Sequence, residues 1–169
     1  PAENVNAIRH RLWREYGTTL RGLQAEFSVD TDAYLNFVHD IPLEKFLTPD
    51  PHLDRLLTSL LQRKVIFTNA NTAHARRVTG LLGVTEHFDT VVDIYATSPF
   101  CKPEVEAFQK TLGLINEFPE HCLMIDDSPA NLETARTLGI RTISIGEHHH
   151  PGSPHIETIH QLAEVIASL

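Results

Sequence analysis

Three short stretches of this chain hold side chains whose chemistry belongs together. Asp126-Asp127-Ser128 sets two adjacent carboxylates behind the apolar run Cys122-Leu123-Met124-Ile125. Adjacent carboxylates at the end of a buried strand repel each other and require a counter-charge. A hard divalent cation such as Mg²⁺ supplies it through oxygen ligands. A turn in which one aspartate caps the next helix is the competing role. Thr68-Asn69-Ala70-Asn71 follows a second apolar run, Val65-Ile66-Phe67. A hydroxyl, an amide and fresh helix N–H groups make an anion cradle, or serve only as an N-cap. Cys101-Lys102-Pro103 places a lysine at an expected helix start. There it meets a phosphate as a point charge, or stays solvated.

The surrounding pattern must bring these stretches to one place. Residues 1–45 read as helices. Val5, Ile8, Leu12 and Tyr16 recur at helical spacing, and Gly17 stops the run. Leu20, Leu23 and Phe27 continue in a second helix, and Asp30 or Thr31 caps a third. Thr48-Pro49-Asp50-Pro51 is a breaker and hinge candidate. Beyond it, helical and strand patterns alternate. Helices are expected over 53–61, 71–82 (closing at Gly83), 103–112 (closing at Gly113), 129–138 (closing at Gly139) and 156–169. Strands are expected over 64–68, 90–95, 122–125 and 141–145. Strict alternation implies an α/β fold, with a parallel sheet covered by helices on both faces. In open parallel sheets ligands bind beyond the carboxyl ends of the strands, and all three stretches fall there.

Composition narrows the function classes. The chain has 169 residues, 41% hydrophobic and 21% charged, with a net charge of −8. Acidity without a basic run argues against a nucleic-acid polymer or an anionic membrane as partner. No apolar run approaches the roughly 18 residues of a membrane span. The first residues are polar and helical in pattern, so no signal peptide is expected. Two cysteines, Cys101 and Cys122, cannot form a disulfide framework, which points to a reducing cytoplasm. Oligomeric state does not follow from the sequence.

Taken in order, V-I-F-T-N, C-K-P-E-V-E-A-F and L-M-I-D-D-S-P-A-N-L-E-T-A resemble the haloacid dehalogenase-like hydrolase superfamily. The resemblance spans residues 46–146. It implies a Rossmann-like core (46–169) carrying an α-helical cap, of which residues 1–45 are a part. It also implies a Mg²⁺-dependent phosphomonoesterase working through an aspartyl-phosphate on a small phosphorylated substrate. Thr68 and Asn69 then belong to the phosphoryl site, Lys102 neutralises charge, and Asp126 and Asp127 hold Mg²⁺ directly or through water. Tyr16–Leu23 and Phe37–Glu44 look like the cap of pyrimidine 5′-nucleotidase-like members, making Thr18, Thr19, Arg21 and His39 candidate substrate contacts.

The family's first motif, an apolar strand followed by Asp-x-Asp-x-Thr, is missing. Val29-Asp30-Thr31-Asp32-Ala33-Tyr34 has the acid spacing, but lacks the buried strand and the final threonine. The chain is therefore expected to be a piece of a larger hydrolase, inactive alone for want of its nucleophile. The family's central strand lies between the strands ending at Thr68 and Ile125, so these are expected to flank a gap, the alternatives being that they close on each other or are bridged by a strand from elsewhere. A dehalogenase and a non-catalytic phosphoryl-ligand or partner-binding member are the alternatives. His148-His149-His150 with His155 reads as a polar loop rather than a transition-metal site. Cys101 reads as a packing or loop residue and Cys122 as buried in its strand. Trp13 is expected on the apolar side of the first helix.

Overall fold

The computed structural model describes residues 2–166. The chain divides into two compact units, Pro1–Pro42 and Leu43–Leu169. The first is helical: α1 (Ala2–Tyr16), α2 (Thr19–Phe27) and α3 (Thr31–His39). Capping residues set the starts, as the sequence indicates. The Thr18 hydroxyl accepts from the Arg21 amide at 3.2 Å, and Asp30 Oδ1 accepts from the Ala33 amide at 2.9 Å. Asp30 is thus a helix cap, and Asp32 lies in the first turn of α3.

Helices α1 and α2 meet where Leu12, fully buried, faces Gly22. A Cβ on Gly22 would lie 2.6 Å from Leu12 Cβ, so only glycine permits this approach. The Arg11 guanidinium joins the two helices, donating to both carboxylate oxygens of Glu26 at 2.6 and 2.7 Å. Trp13 departs from expectation. It is 58% exposed, because Leu12 takes the buried position beside it.

The second unit is α/β. Its elements are α4 (Pro51–Ser59), β1 (Val65–Phe67), α5 (Thr72–Leu82), β2 (Thr90–Val92), α6 (Ile94–Thr97), α7 (Val105–Ile115), β3 (Leu123–Asp126), α8 (Pro129–Thr137), β4 (Arg141–Ile145), β5 (His155–Ile156) and α9 (Leu162–Ile166). Every strand pairing is parallel. The two-residue period of the strands sorts their side chains. Leu123, Ile125, Ile143 and Ile145 pack on one face with Leu53 and Leu56 of α4 and Leu162 of α9. Met124 and Phe67 pack on the other with Phe108 and Leu112 of α7 and Ala135 of α8. No described helix is long and apolar enough to cross a membrane.

Several boundaries differ from the sequence pattern. The strand after Asp89 stops at Val92, because Asp93 caps α6 with Oδ1, accepting from the Tyr95 and Ala96 amides at 3.1 and 3.0 Å. Helix α7 starts at Val105, later than Pro103, and runs through Gly113. It stops at Asn116, which takes the left-handed conformation (φ 53°). The breaker at Asp50-Pro51 starts α4 as cap and first residue. Where a helix is expected over 156–169, the described residues form strand β5, a 3₁₀ turn (Ile159–Gln161) boxed by Thr158 and Gln161, and α9, while residues 167–169 lie outside the described residues.

The sheet is split. Among the described residues β1 pairs only with β2, and β3 pairs with β4, which pairs with β5. β1 and β3 do not hydrogen-bond to each other, as the missing central strand requires. Between them lies a cleft of about 830 Å³, lined by Val65 and Phe67 on one side and by the consecutive residues Leu123 to Asp126 on the other. Four consecutive residues line a cleft only along a strand's edge. Val65–Phe67 and Leu123–Ile125, apolar throughout, are accordingly only half-buried.

Two predictions follow from this packing. Gly22→Ala should destabilise the helical unit by about 1–3 kcal/mol, the usual cost of overpacking, seen as an earlier denaturant midpoint. Asp93 is buried, and its Oδ2 also accepts from the Thr72 amide (2.9 Å) and hydroxyl (2.6 Å). Desolvation pushes this carboxyl up, but its hydrogen bonds from Thr72, Ala96 and Tyr95 together outweigh that and leave it below the ordinary aspartate value. A depressed folded value adds stability that is present at neutral pH and lost as pH falls below about 4. Asp93→Asn should cost about 1–3 kcal/mol at neutral pH and flatten the acid limb of a stability–pH curve.

Candidate active site

The site is assembled from the carboxyl ends of β1 and β3 and the loop before α7. Thr68 continues the β1–β2 ladder, its amide donating to Val92 O at 3.0 Å. Its hydroxyl oxygen accepts from the Ala70 amide at 3.0 Å, which leaves the O–H as a donor. Capping of α5 falls to Asn71, whose Oδ1 accepts from the His74 amide at 2.9 Å. Thr68 therefore does not serve as the helix cap.

Asn69 reaches across to the next loop. Its Oδ1 accepts from the Lys102 amide and its Nδ2 donates to the Lys102 carbonyl, both at 2.9 Å. This two-point clamp fixes the Lys102 backbone against the end of β1. The loop is tied down further by Glu104 Oε2, which accepts from the Cys101 amide (2.9 Å), and by Thr134 Oγ1, which donates to Pro103 O (2.7 Å). Lys102 itself is buried, at 9% exposure. Its Nζ donates to Asp126 Oδ2 at 2.7 Å and lies 5.1 Å from the centroid of the Phe67 ring.

Asp126 ends β3 and is equally buried. Its Oδ1 accepts from the Ser128 amide and from Asn131 Nδ2, each at 2.9 Å. Both oxygens of Asp126 are thus engaged by protein donors. Asp127, the next residue, is exposed. Among the described residues no three His, Cys, Asp or Glu side chains gather as a metal-binding group. The donor chemistry fits a hard cation in part: Asp127 offers a carboxylate uncommitted among the described residues, beside the cleft-lining Asp126.

Of the sequence-predicted residues, Asn69, Lys102 and Asp126 are linked by hydrogen bonds, with Thr68 adjacent in the chain. Within the helical unit, the Thr18 hydroxyl is used in capping, Thr19 opens α2, and Arg21 and His39 are half-buried. Asn131 and Phe67 are neighbours that sequence reading passed over. Asn131 sits five residues past Asp126 in the first turn of α8, a position the cap pattern points to only once Asp126 is known to turn inward. The histidine run also splits. His148 and His149 are exposed. His150 is buried, with Nε2 3.1 Å from Glu133 Oε2, and His149 stacks on His155 at 3.5 Å between ring centroids. Cys101 is buried as a packing residue. Cys122 lies just ahead of β3 and is half-buried, its thiol pushed up by burial.

Lys102 and Asp126 have side chains only 10% and 8% exposed. Removing one charge of such a pair leaves the other buried and uncompensated, which typically costs about 3–5 kcal/mol. Asp126→Ala should show a loss of that size in chemical denaturation. The double substitution Lys102→Met/Asp126→Asn, which leaves no charge, should lose clearly less than the single one.

The chain and its fold have counterparts among known proteins. Residues 3–139 match the sequence model of a family described as haloacid dehalogenase-like hydrolase. Phosphate metabolism protein 8 of Saccharomyces cerevisiae is 29% identical over 154 residues, covering 82% of this chain and 48% of that protein. The chain spans less than half the length of the curated relatives it matches. Among solved structures, the L-2-haloacid dehalogenase of Xanthobacter autotrophicus superposes with a TM-score of 0.66 at 13% identity, covering 98% of this chain and 82% of that one. The HAD-hydrolase YfnB of Bacillus subtilis, solved with magnesium, gives 0.66 at 18% identity, with coverage of 98% and 82%. At these identities the structures speak for the fold. The family match extends over most of the chain and takes in Thr68, Lys102 and Asp126 on that fold: the chain belongs to the haloacid dehalogenase-like hydrolase family.

Proposed function

We propose that this chain forms part of a Mg²⁺-dependent phosphomonoesterase that acts on pyrimidine 5′-monophosphates through an aspartyl-phosphate. One observation carries the reading. A buried ammonium, Lys102, is held at the strand ends by Asp126 and by the Asn69 clamp, next to the Thr68 hydroxyl. Asp126 takes one of its N–H groups; the other two have no protein acceptor among the described residues. A phosphoryl oxygen is the kind of acceptor that completes such a site.

In this reading an extended segment occupies the cleft between β1 and β3. It hydrogen-bonds to both free edges and brings the nucleophilic aspartate to their carboxyl ends. That carboxylate attacks phosphorus, the nucleoside alkoxide leaves with a proton from a second acid, and water then releases inorganic phosphate. Lys102 offsets the negative charge of the phosphoryl oxygens, and the Thr68 O–H donates to one of them. Asn69 keeps the Lys102 backbone in place. Asp127, with Asp126 behind it, would hold Mg²⁺, which supplies Lewis-acid stabilisation of the transferring group. Residues 1–45 act as part of the cap, with Thr18, Thr19, Arg21 and His39 as substrate contacts. The resemblance of Tyr16–Leu23 and Phe37–Glu44 to nucleotidase caps supports the substrate class. The two free cysteines support a cytoplasmic setting.

A phosphate-release panel on the protein with its cleft strand in place tests this. UMP and CMP should be hydrolysed faster than AMP, GMP or sugar phosphates, and the 169-residue chain alone should be inactive. Sugar phosphates outpacing UMP would overturn the substrate assignment. Calorimetry should show weaker Mg²⁺ binding for Asp127→Asn, and equal affinity would remove Asp127 from the metal site.

A further inference from the structure

An ammonium in a dry site needs more than one source of compensation. Lys102 Nζ has one from Asp126 Oδ2, at 2.7 Å. Its second neighbour is the Phe67 ring, with the nitrogen 5.1 Å from the centroid. The ring is itself held. Phe108, 2% exposed, meets it edge-on with centroids 5.2 Å apart and planes at 85°. Phe67 is the last residue of β1, one position ahead of Thr68, so its ring is anchored by a strand, not by a loop.

We propose that Phe67 is a positioning residue for Lys102, acting through the π face of its ring and not merely by filling space. An aliphatic wall desolvates an ammonium and returns nothing to it. An aromatic face presents the negative lobe of its quadrupole, and the attraction is largest where water is excluded. With Asp126 on one side and the ring on another, the charge is held at a point, while the Asn69 clamp holds the backbone. The ring leaves the remaining ammonium N–H groups available to an anion, since a π face is a weaker acceptor than a carboxylate. That the anion is a phosphoryl group rests on the function proposed above; the contact between Phe67 and Lys102 does not.

The test uses the 169-residue chain with Phe67 replaced by mono-, di- and trifluorophenylalanine, which weaken the quadrupole stepwise at nearly constant ring size. The same series is made in the Lys102→Met/Asp126→Asn background, and urea unfolding is measured for all. In the native background the folding constant should fall stepwise, by about 5- to 30-fold at the trifluoro ring. In the uncharged background the series should be flat. Equal slopes in the two backgrounds would overturn the proposal, because a packing role does not depend on the lysine's charge. NMR supplies a readout that survives poor folding of the double variant. The Lys102 ε-methylene protons should carry an upfield ring-current shift, retained in Phe67→Tyr and lost in Phe67→Leu. An unshifted methylene in the native chain would also overturn it. No substrate enters either measurement, so failure of the protein with its cleft strand in place to release phosphate would count against the proposed function alone, and parallel slopes against the Phe67 role alone.

Discussion

The buried pair of Lys102 and Asp126 is the interaction around which this site is built. Each charge, taken alone out of water, costs several kcal/mol. Neither residue therefore folds into place without the other, and each draws in further partners. Asp126 takes the Ser128 amide and Asn131 on its second oxygen. Lys102 takes the Phe67 face and has its backbone clamped by Asn69. The consequence reaches beyond the pair. Asp126 ends β3, Phe67 and Asn69 belong to the end of β1, and Lys102 lies in the loop before α7. Charge compensation thus ties two halves of a split sheet together at their carboxyl ends, where no backbone ladder joins them.

The split itself places a second constraint on the fold. Two parallel strands with unpaired inner edges present backbone donors and acceptors to a cleft whose walls are mostly apolar. Isolated polar backbone groups in such surroundings are unfavourable unless paired. The half-burial of Val65–Phe67 and Leu123–Ile125 expresses the same fact in side chains. Residues of the types that normally fill a sheet's centre are left only partly covered. Both the hydrogen-bonding and the apolar demand of the cleft would be met by one object, the extended segment proposed above. The site chemistry and the sheet chemistry would then be completed by the same event, since the cleft opens at Asp126.

Much of this was legible in the residues. β4 occupies Arg141–Ile145 as its alternation indicates, and α5 runs between its Asn71 cap and Gly83, in the left-handed conformation at φ 76°. What the pattern hid is instructive in each case. Gly113 looks like a helix end, yet α7 passes through it, because Asn116 supplies the left-handed turn two residues after Leu114. Ile94 and Tyr95 extend an apolar β-branched run, but Asp93 offers two amides a side-chain acceptor and a helix begins instead. The C-terminal pattern is too short of consistent period to separate a strand and a turn from one long helix. Phe67 and Asn131 were invisible for another reason. Their roles depend on side-chain direction across elements, which no single-strand pattern encodes.

The aspartate doublet shows how a strand's period turns into chemistry. Successive residues leaving a strand point to opposite sides. Asp126 shares the parity of Met124 and turns into the face packed by α7 and α8, where Lys102 waits. Its register partner on β4 is Ser144, fully buried, so the position is sealed from the neighbouring strand as well. Asp127 has the opposite parity and emerges into solvent. Two identical side chains, adjacent in sequence, are thereby given different tasks by geometry alone. One is consumed in holding a cation that is part of the protein. The other keeps its oxygens clear of protein donors among the described residues. A doublet, rather than a single acid, is what lets one strand end present both a paired and an exposed carboxylate.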